Sequence, residues 1–533
     1  MNLVICCDGT WNTPNETEGG LPSPTNVVKL YNALAPADPS GTEQKAYYHP
    51  GVGTDGTWWD KFLGGGTGKG LDQNIMSAYR WLALNYTPGD PIWLFGFSRG
   101  AYTVRSLGGM ISKCGLVDLA RFASKDDALW KVVQKIFDAY RDPKPSPLRA
   151  TKAMPFFNAA TGENPSRQTP IHFIGVWDTV GSLGIPDDMG FLNLLDDPDD
   201  HRFHDTTLSP IVGHARHAVG LDEKRQSFIP TLWTSSGPQT DMKQLWFPGV
   251  HGDVGGGYSQ SGLSDGALYW MMKEAAAEGL AFRQDALLQL KPNPRGVLHD
   301  SVHGLFKALK TRPRAAPLVA GQSLLLHASA IDRHANPPLD QGAYWPLKAN
   351  LPVTVDIFAR DRWNYTGVYL KKDLTYKLTA TGQWLDASIR SGPEGTDDGS
   401  FQIGEVVQIA SSILGGLETL TQKLTKNEQI DFWWTRREEK MPWFALVGLL
   451  ANDIPPPKRT QVNKSAIERL PHEVFLIGDG APFTPQADGY LYCFANDAWQ
   501  AYDNNKGSVC NGNVPSTRHF CKSKLNRGAH YRG

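Results

Sequence analysis

The sequence predicts an α/β fold with a mostly parallel sheet and helices on both faces, followed by an all-β sandwich domain. In the first half, short unbroken apolar runs alternate with stretches of helical spacing, as in parallel strands that helices cover on both sides. After about residue 345, short blocks alternate apolar with polar residues between turn residues, as in antiparallel strands. We therefore expect three parts: residues 1–345, residues 346–515 and a loose basic tail at 516–533.

Four apolar runs in the first part are predicted as strands. They carry aliphatic and aromatic residues without polar alternation, which is typical of strands that are buried on both faces. The predicted strands are Leu3–Cys7, Ile92–Phe97, Ile171–Trp177 and Gln244–Pro248.

Apolar residues at helical spacing predict the helices. In the first part these are Asp72–Tyr86, a stretch that begins at Ala101, and Ser264–Glu278, which starts at a candidate capping serine. Ile211–Leu221 is also expected to be helical. In the second part, Glu405–Thr425 interrupts the strand pattern with helical spacing.

Composition and charge argue against several classes of function. The 53 Lys and Arg residues balance 54 Asp and Glu residues, so we expect no nucleic-acid partner. The glycine-rich segment 64–70 lacks the spacing and the final Ser or Thr of a phosphate-binding loop, and we expect a flexible loop there.

The six cysteines form no CxxC pair, which indicates a reducing compartment of origin. The first residues lack the basic region of a signal peptide, so we expect synthesis in the cytoplasm without a cleaved leader.

Gly96-Phe97-Ser98-Arg99-Gly100 is a G-x-S-x-G segment between a predicted strand and a predicted helix. That context is what a nucleophile elbow requires, because the sharp turn exposes the serine hydroxyl above the sheet. Ser98 is therefore the candidate nucleophile. The backbone N–H of Arg99 would then point at the developing oxyanion.

A serine nucleophile needs an acid and a histidine later in the chain. Asp178 follows the strand Ile171–Trp177 at its carboxyl end, where functional side chains gather. A helix-capping role is the alternative interpretation of Asp178. The rival acids are Asp187, Asp188 and Asp253.

His251 is the candidate base because it follows a predicted strand in the glycine-rich loop PGVHGDVGGGY. His217 is the runner-up, but with His214 it would form one face of the helix expected there. As a metal pair, these two histidines lack a third ligand nearby in the sequence. A second oxyanion donor is expected in the loop after the first strand, from the backbone of Gly9 or Thr10.

Several motifs of the first part resemble those of an α/β-hydrolase family that includes phospholipase effectors of bacterial type VI secretion. The resemblance covers residues 1–345 and implies an α/β-hydrolase-like sheet with a lipolytic triad of Ser98, Asp178 and His251. It also implies membrane phospholipid as substrate, secretion into target cells and their periplasm, a component of the secretion apparatus, and an immunity protein. The motifs are CCDGTWN, HPGVGT, GFSRGAYTVRSLGG, GVWDTVGS, GLDEKRQSF and WFPGVHGDVGGGY, in this order.

The segment 496–508 resembles the calcium loop of a small galactose-binding lectin of Pseudomonas type. The resemblance implies Ca²⁺ held by Asp497, the carbonyl of Ala501, Asn504 and Asn505, with a glycan as a further ligand. Oxygen donors of this kind suit a hard cation. A hairpin rich in Asn, Asp and Gly that binds no metal is the alternative.

The leading functional hypothesis is a serine-dependent phospholipase A that needs no cofactor for catalysis. An esterase on soluble or sugar esters, guided by the lectin-like part, is the first alternative. A carbohydrate-binding protein with an inactive hydrolase scaffold is the second.

Overall fold

The structure, a computed structural model, divides into two compact units. The first comprises Met1–Arg314 and Gly321–Tyr344, and the second comprises Ala315–Ala320 and Trp345–Gly533. Predictions for Thr10, Asp187, Asp188 and Glu405–Thr425 lie outside the described residues. The structure describes residues 1–9, 17–51, 67–122, 126–142, 154–157, 169–180, 207–238, 240–302, 310–321, 323–348, 352–386, 389–396, 436–453, 472–499, 501–509 and 523–527.

A six-stranded parallel sheet forms the centre of the first unit, in the order β4-β1-β5-β6-β7-β8. The four predicted strands all belong to it, and two further strands, β4 and β7, complete it. A short hairpin of β2 and β3 lies outside this sheet. The strands are β1 (Asn2–Cys7), β2 (Thr17–Glu18), β3 (Leu21–Pro22), β4 (Gln44–His49), β5 (Ile92–Phe97), β6 (Ile171–Trp177), β7 (Val212–Gly220) and β8 (Asp241–Phe247).

Helices cover both faces of this sheet. Successive residues of β1 point to opposite sides, so Leu3 and Ile5 belong to one apolar core and Val4 and Cys6 to another. The first core includes residues of helices α2, α3 and α4, and the second includes residues of α1 and α6. The helices are α1 (Asn26–Ala33), α2 (Thr67–Asn85), α3 (Arg99–Cys114), α4 (Asp126–Arg141), α5 (His251–Gly255), α6 (Gly262–Ala277), α7 (Ala286–Gln289) and α8 (Ala328–Ala335).

The prediction of a helix over Ile211–Leu221 is wrong, because this stretch is the strand β7 between β6 and β8. The strand lacks the apolar run of β5 and β6 because it carries His214, Arg216 and His217, and each of these side chains has a polar partner. Helix α2 begins at Thr67, so part of the glycine-rich segment is helical. None of the helices in the described ranges combines the length and apolar character that a bilayer span requires.

The second unit consists of antiparallel sheets around an apolar core. Three four-stranded sheets have the orders β10-β19-β13-β14, β11-β18-β15-β16 and β17-β12-β20-β9. Trp384 and Leu446, from two of these sheets, share that core and are fully buried. The strands are β9 (Val353–Val355), β10 (Ile357–Phe358), β11 (Asn364–Leu370), β12 (Tyr376–Ala380), β13 (Gly382–Asp386), β14 (Ile389–Ser391), β15 (Leu446–Ala451), β16 (Glu473–Leu476), β17 (Gly480–Phe483), β18 (Gly489–Ala495), β19 (Asn505–Val509) and β20 (Ser523–Arg527).

The expectation of a loose tail at 516–533 is wrong for one segment. Strand β20 pairs with both β12 and β9, so its backbone is an inner strand of a sheet. Its sequence, SKLNR, has a single aliphatic residue, and for that reason the apolar pattern gave no sign of a strand.

Candidate active site

Ser98, Asp178 and His251 each follow the carboxyl end of a strand in the parallel sheet. Strands β5 and β6 are paired with Phe97 opposite Trp177, and the Ser98 N–H donates to the Trp177 carbonyl at 3.1 Å. His251 begins helix α5, four residues after β8. The three predicted residues therefore lie at the edge of the sheet where ligands usually bind in α/β folds.

The turn at Ser98 has the strained backbone of a nucleophile elbow. Ser98 adopts φ +56° and ψ −122°, a conformation that costs a non-glycine residue about 1–3 kcal/mol. The flanking glycines allow the close contacts of the turn. A Cβ on Gly96 would lie 2.5 Å from the Gly100 carbonyl oxygen, and one on Gly100 would lie 2.1 Å from the Cys7 carbonyl oxygen. Larger residues at either position are therefore excluded.

Asp178 and His251 form a short, buried hydrogen bond. Nδ1 of His251 lies 2.6 Å from Oδ2 of Asp178, whose side chain is fully buried. In this contact the neutral imidazole carries its proton on Nδ1 and donates it in a hydrogen bond to the carboxylate, which leaves Nε2 unprotonated. The imidazole also packs between two phenylalanine rings, with centroid distances of 4.6 Å to Phe97 and 4.9 Å to Phe228. Phe97 precedes Ser98, so this packing holds the ring next to the elbow.

Burial lowers the pKa of His251 below its ordinary value, against the opposing effect of Asp178. For Asp178, burial alone would raise the pKa, but Arg314 and His251 hold it well below its usual range. The expected state at neutral pH is therefore a neutral imidazole beside an ionised carboxylate. A neutral imidazole is the form that can accept a proton from a serine hydroxyl.

Arg314 is a residue of this site that the sequence analysis missed. Its Nη1 donates to Oδ1 of Asp178 at 2.7 Å and its Nη2 donates to Oδ2 at 2.9 Å. The Gly220 N–H adds a third hydrogen bond to Oδ1 at 2.9 Å. Because both oxygens are fixed by donors, the carboxylate has one orientation toward His251. Arg314 stands in no motif, and 136 residues separate it from Asp178.

Glu223 and Arg225 form a second buried ion pair beside His251. Arg225 Nη2 donates to Glu223 Oε2 at 2.8 Å, and the same oxygen accepts from the His251 N–H at 3.3 Å. The Arg225 guanidinium lies 3.5 Å from the centroid of the Phe228 ring, which contacts His251. Both residues stand in the GLDEKRQSF motif, but no role for them could be predicted from the sequence.

The rival residues within the described ranges have other partners. His217 is fully buried; its Nε2 accepts from the Thr179 N–H at 3.2 Å and its Nδ1 contacts Gln244. Burial, and to a smaller extent the charge of Arg105, lowers the pKa of His217 to about 3. Asp253 pairs with His299, at 2.5 Å between Oδ1 and Nδ1. Neither rival contacts the other as an acid–base pair would.

The oxyanion donors are placed unequally. Arg99 is the first residue of α3, so its N–H lies at the start of the helix, directly after the candidate nucleophile. The Gly9 N–H donates to Oδ1 of Asp8 at 2.7 Å. Gly9 would have to exchange that bond for one to the substrate. Thr10, the other candidate, lies outside the described residues.

The predicted calcium loop brings several oxygens together in the second unit. Asp497 accepts from the Asn505 side chain at 2.8 Å, and Asn504 donates to Asp386 at 2.9 Å. The side-chain oxygens of Asn504 and Asn505 are buried without a hydrogen-bond partner in the described part of the chain. Burial, and to a smaller extent the charge of Asp386, raises the pKa of Asp497 to about 7. Two buried amide oxygens without a donor, and two carboxylates that repel each other, suit a hard cation as ligands.

Comparison with known proteins gives a relative that is similar in sequence over part of the chain. A Saccharomyces cerevisiae protein, "Uncharacterized protein YEL023C", is 34% identical over 247 residues, which is 44% of this chain and 33% of that protein. The chain thus spans about a third of that relative.

Three solved structures are similar to parts of the chain, all below 20% identity. An uncharacterized protein from Pseudomonas aeruginosa has 19% identity and TM-score 0.31, covering 54% of this chain and 47% of that one. The Tle1 effector bound to the VgrG spike has 18% identity and TM-score 0.25, covering 48% and 51%. The EclA N-terminal domain, a PllA-like lectin, has 15% identity and TM-score 0.19, covering 34% and 99%. Scores this low support no inference.

The decisive comparison is with a family profile. The profile described as "T6SS, Phospholipase effector Tle1-like, catalytic domain" matches residues 1–274, which contain the whole of the parallel sheet and the candidate triad. Because this match covers more than half of the 533 residues, the chain belongs to the family of Tle1-like phospholipase effectors of type VI secretion.

Proposed function

We propose that this protein is a serine-dependent phospholipase A of the α/β-hydrolase type, acting as a type VI secretion effector. The observation that carries the proposal is the 2.6 Å contact between His251 and Asp178 beside the strained turn at Ser98. Membership of the Tle1-like family supports a lipid ester as the substrate.

In the proposed reaction, Ser98 Oγ attacks the carbonyl carbon of the lipid ester. His251 takes the hydroxyl proton at Nε2, because its Nδ1 proton is donated to Asp178. The Arg99 N–H stabilises the negative oxygen, and the same imidazole then protonates the departing lysolipid oxygen. Water, activated by His251, hydrolyses the acyl-enzyme to release the fatty acid and free Ser98.

Fatty-acid release from phosphatidyl lipid vesicles, compared with hydrolysis of short-chain soluble esters, tests this proposal. Ser98→Ala should lower both by several orders of magnitude while the melting temperature stays near that of the wild type. Ser77→Ala, on the surface of helix α2, is the matched control and should leave both rates unchanged. Full activity in Ser98→Ala contradicts the triad. Soluble esters cleaved without lipid release favour the alternative esterase function, and no hydrolysis at all favours an inactive scaffold.

We also propose that the second unit is a lectin-like sandwich that binds Ca²⁺ through Asp497, the Ala501 carbonyl, Asn504 and Asn505. The orphaned oxygens of the two asparagines carry this proposal, with Asp386 adding a second negative charge. Such a site would dock the enzyme on a glycan or a lipid head group. Calorimetry with Ca²⁺ should show heat for the wild type and for Asp503→Asn, an exposed neighbour, but not for Asp497→Asn. Equal heats in all three would contradict the calcium site.

The proposed setting is the envelope of a target bacterium. Delivery there would require binding to a component of the secretion apparatus, and the producing cell would need an immunity protein. Directing the wild type and Ser98→Ala to the periplasm or the cytoplasm of a bacterial host tests this location. Growth arrest only for the periplasmic wild type is the expected result, and equal toxicity of Ser98→Ala would contradict it.

A further inference from the structure

We propose that His172, His214 and Glu278 form a binding site for a divalent transition metal such as Zn²⁺. His172 and His214 lie near the amino ends of the neighbouring strands β6 and β7, and Glu278 directly follows helix α6. One potential ligand atom from each of the three lies within 4.8 Å of the others. Two histidines and one carboxylate, with a water in the fourth position, are a common zinc ligand set.

The strongest observation is that His214 stands between two carboxylates. Its Nε2 lies 3.2 Å from Glu278 Oε2, and its Nδ1 lies 3.4 Å from Asp241 Oδ2. A neutral imidazole carries one proton, so one of these nitrogens would turn a lone pair toward a carboxylate. A cation between Nε2 and Glu278 removes that repulsion. A distance of 3.2 Å matches two tetrahedral ligands on one zinc ion, for which bonds of about 2.0–2.1 Å give a separation of about 3.3 Å.

The surroundings already provide the outer contacts that metal-bound histidines need. Asp241 faces Nδ1 of His214, which is the carboxylate–histidine arrangement that fixes the ring and makes it a better ligand. Arg216 holds Asp241 at 2.5 Å and Glu274 at 2.6 Å, so Asp241 stays in place. Lys243 also pairs with Glu274. Within the described residues, the ion-pair partner of Glu278 is His214 itself.

The three groups are held by regular structure and remain open to solvent. The His172 ring packs on Trp93 at 4.6 Å and lies 5.3 Å from the His214 ring. Its Nε2 is 3.0 Å from the Glu278 carbonyl oxygen, so the ring lies against the end of α6. The His214 and Glu278 side chains are each 26% exposed, which lets an ion reach the site.

This site is separate from the candidate triad. Asp178 directly follows Trp177 at the carboxyl end of β6, whereas His172 lies near the amino end, about 17 Å from Trp177 along the strand. The metal would therefore not take part in ester cleavage. It would tie β6, β7 and the end of α6 together and stabilise the folded state by mass action.

Competition for Zn²⁺ against a chromophoric chelator, with the full-length protein, tests the proposal. The wild type should bind about one equivalent more than His214→Gln or Glu278→Gln, and each variant should lose at least about tenfold in affinity. Co²⁺ should give the visible absorption of a tetrahedral complex in the wild type alone. His334→Gln, a half-buried histidine of helix α8, is the matched control and should bind like the wild type.

The competing explanation of the His214–Glu278 contact is a hydrogen bond, in which a proton on the His214 ring takes the place of the metal ion. If the wild type and both variants bind Zn²⁺ equally, the group is a hydrogen-bonded cluster only and the proposal is wrong. His172→Gln guards against misfolding, since it removes a ligand without breaking the His214–Glu278 contact. Thermal unfolding without metal shows whether each variant is folded, and only the wild type and His334→Gln should gain melting temperature with Zn²⁺.

Discussion

Replacing Arg314 with methionine tests whether this arginine positions the proposed acid–base pair. The guanidinium donates to both oxygens of Asp178, at 2.7 and 2.9 Å. Methionine is apolar and similarly long, so the variant leaves Asp178 with the hydrogen bonds from His251 and the Gly220 N–H. Breaking one side of a buried ion pair leaves an uncompensated charge, and we expect a loss of about 3–5 kcal/mol in the free energy of unfolding.

The same variant should shift the pH dependence of turnover. Arg314 Nη2 is 2.9 Å from Asp178 Oδ2, which is 2.6 Å from His251 Nδ1, so the two nitrogens are at most about 5.5 Å apart. Removing a positive charge there favours imidazolium by about 3 kcal/mol at an effective dielectric constant of about 20, and by under about 1 kcal/mol in water. The pKa of His251 rises, and the acid limb of kcat/KM moves up by about 0.5–2 pH units.

The assay is kcat/KM for a short-chain ester across the pH range in which each variant is folded. Arg314→Lys restores the charge with one donor group, so its acid limb should return toward the wild type although its rate stays lower. Arg333→Met is the control, because Arg333 is equally buried but donates to the carbonyls of Pro294 and Gly296. An acid limb that Arg314→Met leaves in place, or that Arg333→Met moves equally, would refute the positioning role.

Three further outcomes are expected. His251→Ala should lose as much ester hydrolysis as the serine variant, whereas His217→Ala should lower the melting temperature and keep most of the turnover; the reverse pattern would identify the other histidine as the base. Gly255→Ala places a methyl group 2.0 Å from the Phe97 ring, so kcat should fall while the protein stays folded, as circular dichroism can verify. The pKa of Asp497 is about 7 in the folded protein and about 4 in the unfolded chain, so protonation of Asp497 favours the folded state by about 4 kcal/mol. This contribution to stability is fully present below about pH 4 and is lost as pH rises through about 7. Calcium must displace that proton, so its affinity should strengthen up to about pH 7 and then level off, whereas a pH-independent calorimetric affinity would contradict the assignment.

Local patterns were enough to predict the central part of the candidate site. The elbow at Ser98 depends on a strand, a tight turn and a helix that are contiguous in sequence, and Asp178 and His251 each follow an apolar run directly. Arg314 could not be found in this way, since its partner is 136 residues distant and no motif surrounds it. Its contact with Asp178 arises only when the folded chain brings the two residues together.

The wrong prediction for strand β7 has a related cause. Strands β5 and β6 show unbroken apolar runs, but β7, an inner strand between β6 and β8, carries His214, Arg216 and His217. These side chains are acceptable there because acids and amides from other elements satisfy them, as Glu274 does for Arg216 and Gln244 for His217. The spacing of apolar residues in a sequence shows which side chains are polar, but it does not show which distant residues will form hydrogen bonds with them.

The charges around His251 explain why the proposed base can remain neutral in a buried site. Asp178 with Arg314 and Glu223 with Arg225 form two buried pairs, so the imidazole faces a nearly neutral set of groups at rest. An unpaired buried carboxylate at 2.6 Å would instead favour a permanently charged imidazolium, which cannot accept the serine proton. Arg314 limits that field while it fixes the direction of the carboxylate. In the proposed mechanism, Asp178 therefore both orients the imidazole and stabilises the transient imidazolium.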